Sequence, residues 1–462
     1  MTHCIIVHIY NTVRHKCQRA FWRPACGRNP HHGYNSCVKR ALGIICLLLL
    51  ALLATRPAVA RQAAPTTQLI APGDTWVALA ARYGADVATL HALNPQLNRS
   101  QQPAIGATVN LPPTATPRAG RLLRPNDGGL LQTAARAGLS PWALAAAHAH
   151  GSPYRPTLYR PLLLPGAGDI RDLPPGIDTL EVSPAPPAAG QALGLRGRIA
   201  GVTTVNARLD TLAAATTIED DRFLALVGTG AFFAGRRPEV IIRVDSGPAW
   251  IQPWQFVERE WDYQDLTLTG EAAEIDQQAR DEERARLRAL WTVVTPAPLW
   301  TGPFRLPLDD YLHQSATYGG RRSYNGGPYL TYHEGVDFSA YAGTSVLAPA
   351  GGTVVLAEPL YVRGGAVIID HGLGVYTGYY HLSAIHATAG QQAQPGDVLG
   401  EVGTTGLSTG NHLHWDMLIN GIWVDAAMWQ EQDLACWLLA GLGDSCLPPS
   451  QTVIPSGGFQ IR

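Results

Sequence analysis

Apolar and polar positions change period several times along the chain, and each change predicts a different element. The first apolar run, "ALGIICLLLLALLA" at residues 41–54, is continuous and unpatterned. It is shorter than the ~20 residues that a membrane-spanning helix needs. Residues 69–95, "LIAPGDTWVALAARYGADVATLHALNP", read as a short strand, a turn at Gly73 and Asp74, and a helix with Leu79, Ala80 and Tyr83 inward. A second helix follows, and "AIGATVNLPP" closes the unit with a strand; Asp74 or Thr75 is a sound N-cap. "LLRPNDGGLLQTAARAGLSPWALAAAHA" at 122–149 repeats the proline, the aspartate, the "AAR" and the following glycine, with Asn126-Asp127-Gly128 at the turn.

From about residue 172 to 270 the period shortens to two. "LGLRGRIAG", "FLALVGTG" and "VIIRVDS" lie between Gly, Pro and Asp turns, at a spacing that predicts a β-sandwich acting as a structural spacer. "EAAEIDQQARDEERARLRAL" at 271–290 predicts a charged helix whose charges form a solvated face. Further on, "TSVLAPAGGTVVLAEP" and "GGAVIIDHGLGVYTGYYHL" are hairpin-like, with turns at 349–352 and 371–374.

A length of 462 residues sets a soft expectation of about three domains. The 48 glycines and 35 prolines favour a loop-rich, mainly β chain with linkers. A formal net charge of −1 offers no basic field for nucleic acid. Lys39 and Arg40 precede the apolar run, and "TRPAVA" ends in small residues at Ala58 and Ala60. That order reads as a secretory signal peptide cleaved after Ala60, which places the product outside the cytoplasm. Left uncleaved, the same segment would be a membrane anchor. Residues 1–37 are Cys- and His-rich without periodicity; a start near Val38 accounts for them better than a zinc-binding tract. Of the 7 cysteines only Cys436 and Cys446 would survive cleavage, and they predict one disulfide.

The chemistry concentrates beyond residue 300. In "GNHLHWD" at 410–416, a strand would turn His412 and His414 to one face, with Leu413 and Trp415 on the other. "YHEGVDFSA" supplies His333 and Asp337 at i, i+4, and "YYHLSAI" supplies His381 among strand-like aromatics. Gly335, Val336 and Phe338 disfavour a helix, so "HEGVD" is not a two-histidine helical metal motif, and Glu334 is expected to face solvent. Extended, His333 and Asp337 share a side. Two imidazoles and a carboxylate suit a single Zn²⁺ with one position open for water. One of His412 and His414 is then the third ligand, and the other is free for chemistry. His371 and His386 have no such context and are expected in loops or turns.

Residues 66–113, with their Gly-Asp-Thr turn, "ARYG" helix end and Asn-Pro, resemble a LysM module. That resemblance implies binding of GlcNAc-containing glycan such as peptidoglycan, with Gly73, Asp74, Thr75, Asn94 and Pro95 as candidate contacts. The repeat at 121–166 resembles a degenerate copy. From about 306 to 425 the chain resembles the M23 zinc metallopeptidases, the lysostaphin-like or LytM-like endopeptidases. The carriers are H-x-G-x-D at His333, "YHLS" at Tyr380 and "GTTGLSTGNHLHW" at 403–415, with Leu407, Asn411 and Trp415 as departures at non-ligand positions. The resemblance implies His333, Asp337 and His414 as zinc ligands and His381 and His412 as the catalytic histidines beside the metal's water. It implies a cell-wall-associated peptidoglycan endopeptidase. The alternatives are a non-catalytic LytM-type regulator of wall hydrolases and a peptidase acting on proteins.

The expected fold is therefore multidomain and mainly β. A leader at 1–60 precedes small α/β LysM-type modules at 66–113 and 121–166. A β-sandwich-like domain at 172–270 and a charged helix at 271–292 follow. An all-β peptidase domain at 300–430 precedes a C-terminal tail at 431–462 carrying the disulfide.

Overall fold

The computed structural model describes residues 66–99, 101–113, 115–123, 130–136, 138–147, 151–154, 161–267, 277–431 and 434–446. The expected signal peptide, the start near Val38 and the turn at Asn126 lie outside these residues. The described residues fall within one compact unit, Pro65–Arg462.

The first module runs β1 (Thr66–Leu69), α1 (Trp76–Tyr83), α2 (Val87–Leu93) and β2 (Thr108–Leu111), with β1 and β2 antiparallel. Thr75 is the N-cap of α1: its side chain accepts from the Ala78 N–H. Gly84, at φ 61°, ends the helix in the left-handed conformation that glycine adopts without a Cβ penalty. Trp76, Leu79, Leu90, Val109 and Leu111 form the module's core. The second copy has the same order: β3 (Ala119–Leu123), α3 (Leu130–Arg136), α4 (Pro141–Ala147) and β4 (Leu162–Asp169), around Leu130, Ala134, Leu144 and Leu162.

Eight strands follow: β5 (Glu181–Ser183), β6 (Ala192–Arg198), β7 (Val205–Leu209), β8 (Leu212–Ala213), β9 (Ala215–Glu219), β10 (Arg222–Gly228), β11 (Glu239–Val244) and β12 (Trp250–Pro253). They form two four-stranded sheets, β5-β6-β10-β9 and β12-β11-β7-β8. Leu193, Leu195, Phe223, Ala225 and Val227 of one sheet share a core with Val205, Ala207, Leu209, Val240 and Ile242 of the other. The opposite face of β6 and β10 is not solvated. Ala192, Leu224 and Leu226 belong to the same core as Val336, Trp415 and Ile419 further along the chain. The expected spacer is thus packed against its neighbour, because β10 carries apolar residues on both faces.

The C-terminal half contains β13 (Tyr263–Leu266), α5 (Gln277–Trp291), β14 (His313–Ala316), β15 (Arg321–Tyr324), β16 (Thr331–Tyr332), β17 (Gly335–Ser339), β18 (Ser345–Leu347) and β19 (Gly352–Leu360). Then come β20 (Gly364–Asp370), β21 (Val375–Leu382), β22 (Ala384–Ile385), β23 (Gln392–Ala393), β24 (Val398–Glu401), β25 (His412–Ile419), β26 (Ile422–Val424), α6 (Met428–Glu431) and α7 (Leu434–Leu442). The main sheet has the order β14-β17-β25-β21-β20-β19-β23, with β26 on β25. Along β25, Leu413, Trp415, Met417 and Ile419 point into the core shared with the sandwich. Leu418 lies on the other face, in a cluster with Tyr376, Tyr380 and the helical residues Leu287 and Trp291.

Helix α5 therefore covers part of the sheet face that carries the site residues, while Asp281, Glu282, Arg286 and Arg288 form the expected exposed charged face. Leu287 and Trp291 are buried, and so is Glu283. The charge run hid this contact because inward positions are few in a helix whose other faces are solvated. Cys436 and Cys446 are disulfide-bonded, with Cα atoms 5.2 Å apart. Helix α7 packs on the sandwich, where the Arg196 guanidinium lies 4.2 Å from the Trp437 ring centroid. Among the described residues no helix is long and apolar enough to cross a membrane.

Candidate metal centre

The register of β17 on β25 builds the site. Asp337 lies opposite His414 and Ser339 opposite His412, so the carboxylate and both imidazoles share one sheet face. His333 precedes β17 and is fully buried. Its backbone N–H donates to the Gly320 carbonyl, and its own carbonyl accepts from the Gly319 N–H. Three donor atoms converge: His414 Nδ1 is 2.7 Å from Asp337 Oδ1, and His333 Nε2 is 3.0 Å from each of them. Among the described residues, this is the one group of three such side chains close enough to hold a metal ion.

The hydrogen-bond geometry tests the fit. His333 Nδ1 lies 2.9 Å from the Thr317 carbonyl, which can only accept, so Nδ1 carries the proton and Nε2 holds a lone pair. That lone pair faces the Asp337 carboxylate oxygen, acceptor against acceptor. Only a cation, either a second proton or a metal ion, reconciles them. Two imidazoles and a carboxylate are an N/O donor set suited to a divalent metal, and the Thr317 carbonyl is the kind of outer partner that orients a ligand imidazole.

The electrostatics favour the deprotonated forms that ligation requires. Burial works to raise the Asp337 pKa, but the His333 and His414 imidazoles outweigh it and hold the carboxyl well below its usual range. Burial pushes His414 down to about 3, against the pull of its Asp337 partner.

His381 and His412 complete the site. On β21, Gly365 pairs with Leu382 and Val367 with Tyr379, so Tyr380 and His381 together oppose the single residue Ala366. This is a β-bulge, and His381 takes φ 64°, a left-handed conformation that costs a non-glycine residue energy. The bulge re-aims the imidazole: its ring centroid is 4.7 Å from that of His412 and 6.2 Å from that of His414. His381 Nδ1 donates to the Thr405 carbonyl at 2.8 Å, and His412 Nδ1 to the Gly410 carbonyl at 2.7 Å. In the neutral form each ring keeps its lone pair on Nε2. His412 Nε2 stands 4.0 Å from Asp337 Oδ1. Burial, then the nearby His412, push His381 down to about 4.

Sequence reasoning missed several neighbours. Arg322 places Nη2 3.6 Å from Asp337 Oδ2, and its Nε donates to Gln264 Oε1 on β13. Glu334 is not a solvent-facing residue: it is half-buried and pairs with Arg363 at 3.2 Å and Arg284 at 3.4 Å. Charge alone signalled exposure, but the partners come from α5 and from the turn before β20, which no local pattern links to it. His371 does follow β20 at a turn, yet it is fully buried, donating from Nδ1 to the Gly351 carbonyl with Nε2 2.8 Å from Thr377 Oγ1. His386 is exposed and pairs with Glu401.

The candidate glycan contacts are placed differently from expectation. Gly73, Asp74, Thr75 and Asn94 are buried, and of the five only Pro95 is exposed. Asp74 pairs with Arg82 and Arg171, Thr75 Oγ1 donates to Asp172, and the Gly73 N–H donates to Gln252 of the sandwich. Asn94 Nδ2 donates to the Leu90 and Asn110 carbonyls. These side chains hold the module together and onto its neighbour.

Residues 331–426 match peptidase family M23. An uncharacterized metalloprotease of Haemophilus influenzae is 40% identical over 126 residues, covering 27% of this chain and 26% of the relative. The DD-carboxypeptidase/endopeptidase Mpg of Neisseria meningitidis is 45% identical over 89 residues, 19% of this chain and 20% of its own. The peptidoglycan DD-endopeptidase ShyA of Vibrio cholerae is 34% identical over 122 residues, 26% of this chain and 28% of its own. The chain thus spans between 20% and 28% of the length of these relatives. All five site histidines and carboxylates fall inside the matched segment, and the chain carries a peptidase domain of family M23.

Proposed function

We propose that this chain is an exported, zinc-dependent endopeptidase that hydrolyses peptide bonds of peptidoglycan. The observation that carries the reading is the convergence of His333 Nε2, Asp337 Oδ1 and His414 Nδ1 beside the imidazoles of His381 and His412. A bound zinc supplies an acidified water and polarises a carbonyl. His333, Asp337 and His414 would hold the ion. His381 and His412, each with Nδ1 tied to a backbone carbonyl, present an Nε2 lone pair for proton transfer: one would take the proton of the attacking water and return that same proton to the leaving amine, while the other steadies the water and the developing charge. The names of the relatives, a DD-endopeptidase and a DD-carboxypeptidase/endopeptidase, support peptide stems of peptidoglycan as the substrate class. The LysM resemblance of residues 66–113 supports attachment to wall glycan through its exposed surface, on which Pro95 lies.

The test is digestion of purified peptidoglycan by protein of measured zinc content, with the new termini identified by mass spectrometry. One zinc per chain and a new amine at a stem or cross-link bond are expected. Protein that binds no zinc and cuts nothing would instead be a non-catalytic regulator.

A further inference from the structure

Helix α5 lies outside the segment that matches the peptidase family, yet its Glu283 reaches the turn that supports His381. Glu283 is buried, and its carboxylate accepts from the Val362 N–H at 2.7 Å and the Arg363 N–H at 3.2 Å. The Arg363 guanidinium lies 3.5 Å from the same carboxylate and 5.1 Å from the Tyr380 ring centroid, next to His381 in the bulge. The Arg363 carbonyl accepts the His381 backbone N–H at 2.9 Å, and the Val362 carbonyl accepts from Leu407 N–H, in the loop whose Thr405 carbonyl orients the His381 ring. Arg284, one residue on, pairs with Glu334 beside His333.

We infer that Glu283 is a positioning residue for the catalytic site: by clasping the backbone at 362–363 it holds His381 in its left-handed, bulged conformation. The inference rests on the catalytic role given to His381 above. The physical argument is that the conformation is intrinsically disfavoured, so it persists only where surrounding contacts over-determine it. A buried carboxylate accepting two adjacent N–H groups and facing an arginine is a stiff contact of that kind. Nothing in the metal ligands depends directly on it.

The experiment uses the full zinc-loaded chain and soluble, cross-linked muropeptide dimers. Glu283→Ala is expected to lower kcat by about 10-fold or more, the scale of a small misplacement of a catalytic group. KM should stay within about twofold and zinc content should not change, because neither substrate contacts nor ligands are removed. Glu283→Gln keeps one carbonyl oxygen for the Val362 N–H and should fall between the variant and the parent. In a His381→Ala background, Glu283→Ala should cost nothing further. A second readout needs no turnover: ¹⁵N-imidazole signals of His381 should report one Nδ1–H tautomer in the parent and a mixture in Glu283→Ala.

An equal loss in both backgrounds, or His381 signals unmoved by the substitution, would overturn the inference. A parent that cuts no muropeptide defeats the proposed function instead, and the imidazole signals then decide the clasp by themselves.

Discussion

His381 and His412 stand with ring centroids 4.7 Å apart although they reach the site by different devices. His412 is delivered by ordinary strand alternation on β25, one step from His414. His381 is delivered by a bulge and a positive φ. Both fix Nδ1 on a backbone carbonyl, and His412 Nε2 stands 4.0 Å from Asp337 Oδ1, whereas His414 Nδ1 sits 2.7 Å from it. Position within "HLH" therefore separates two geometries, the basis of the two roles we propose.

His414→Ala removes one of three donors, so zinc stoichiometry and peptidoglycan hydrolysis should fall together. His412→Ala should keep its zinc while turnover drops by about 10²–10⁴-fold, the scale of a lost acid–base group. Elemental analysis beside the hydrolysis assay checks both. Zinc lost from His412→Ala and kept by His414→Ala would reverse the assignment.

His371 predicts a pH dependence of stability away from the site. Burial lowers its pKa to about 4 from 6.5, so the folded state resists a proton that the unfolded state accepts. Its effect is absent above pH 6.5, grows as pH falls toward 4, and is constant below. The loss across that window is on the order of 3 kcal/mol, from about 1.4 kcal/mol per pKa unit. Denaturant unfolding of metal-free protein at pH 7.5 and 4.5 should show a smaller acid loss in His371→Gln than in the parent. Equal losses in the two proteins would contradict the buried neutral imidazole.

Gly335 predicts a steric constraint at the centre itself. A Cβ there would lie 2.4 Å from the Trp415 carbonyl oxygen and 2.8 Å from His414 Nε2. Gly335→Ala should push β17 off β25, costing about 1–3 kcal/mol as overpacking does, and should weaken zinc retention by displacing His414. Thermal unfolding and dialysis against a chelator measure the two effects. An alanine variant as stable and as zinc-retentive as the parent would mean the strands separate freely.

Helix α5 predicts a contrast between its faces. Leu287 is fully buried against Leu356, Tyr380 and Leu418, whereas Arg288 is exposed. Leu287→Ala should cost about 2–5 kcal/mol. Arg288→Ala should change stability by no more than about 0.5 kcal/mol. Equal effects would return the helix to the solvated role that its charge suggests.

Much of the site was legible because it depends on short-range rules. Period-two alternation puts His412 and His414 on one face, and Gly335 and Val336 make "HEGVD" extended, so ligand types and spacing follow from the chain. The alternating segments between turns likewise predict the mainly β architecture, and the lone late cysteine pair its disulfide. What the chain order does not encode locally is which distant groups meet. Glu283 looks solvated until α5 lies on the sheet, and Glu334 looks free until Arg284 and Arg363 arrive. The Gly-Asp-Thr turn looks available until the sandwich buries it, and His381 looks like one more strand residue until a one-residue mismatch between β20 and β21 turns it. Local propensity and periodicity act over a few residues, so sequence determined most of the elements and the candidate donor side chains. Burial and the partners of each charge depend on contacts between segments tens to hundreds of residues apart, and those only the tertiary structure decided.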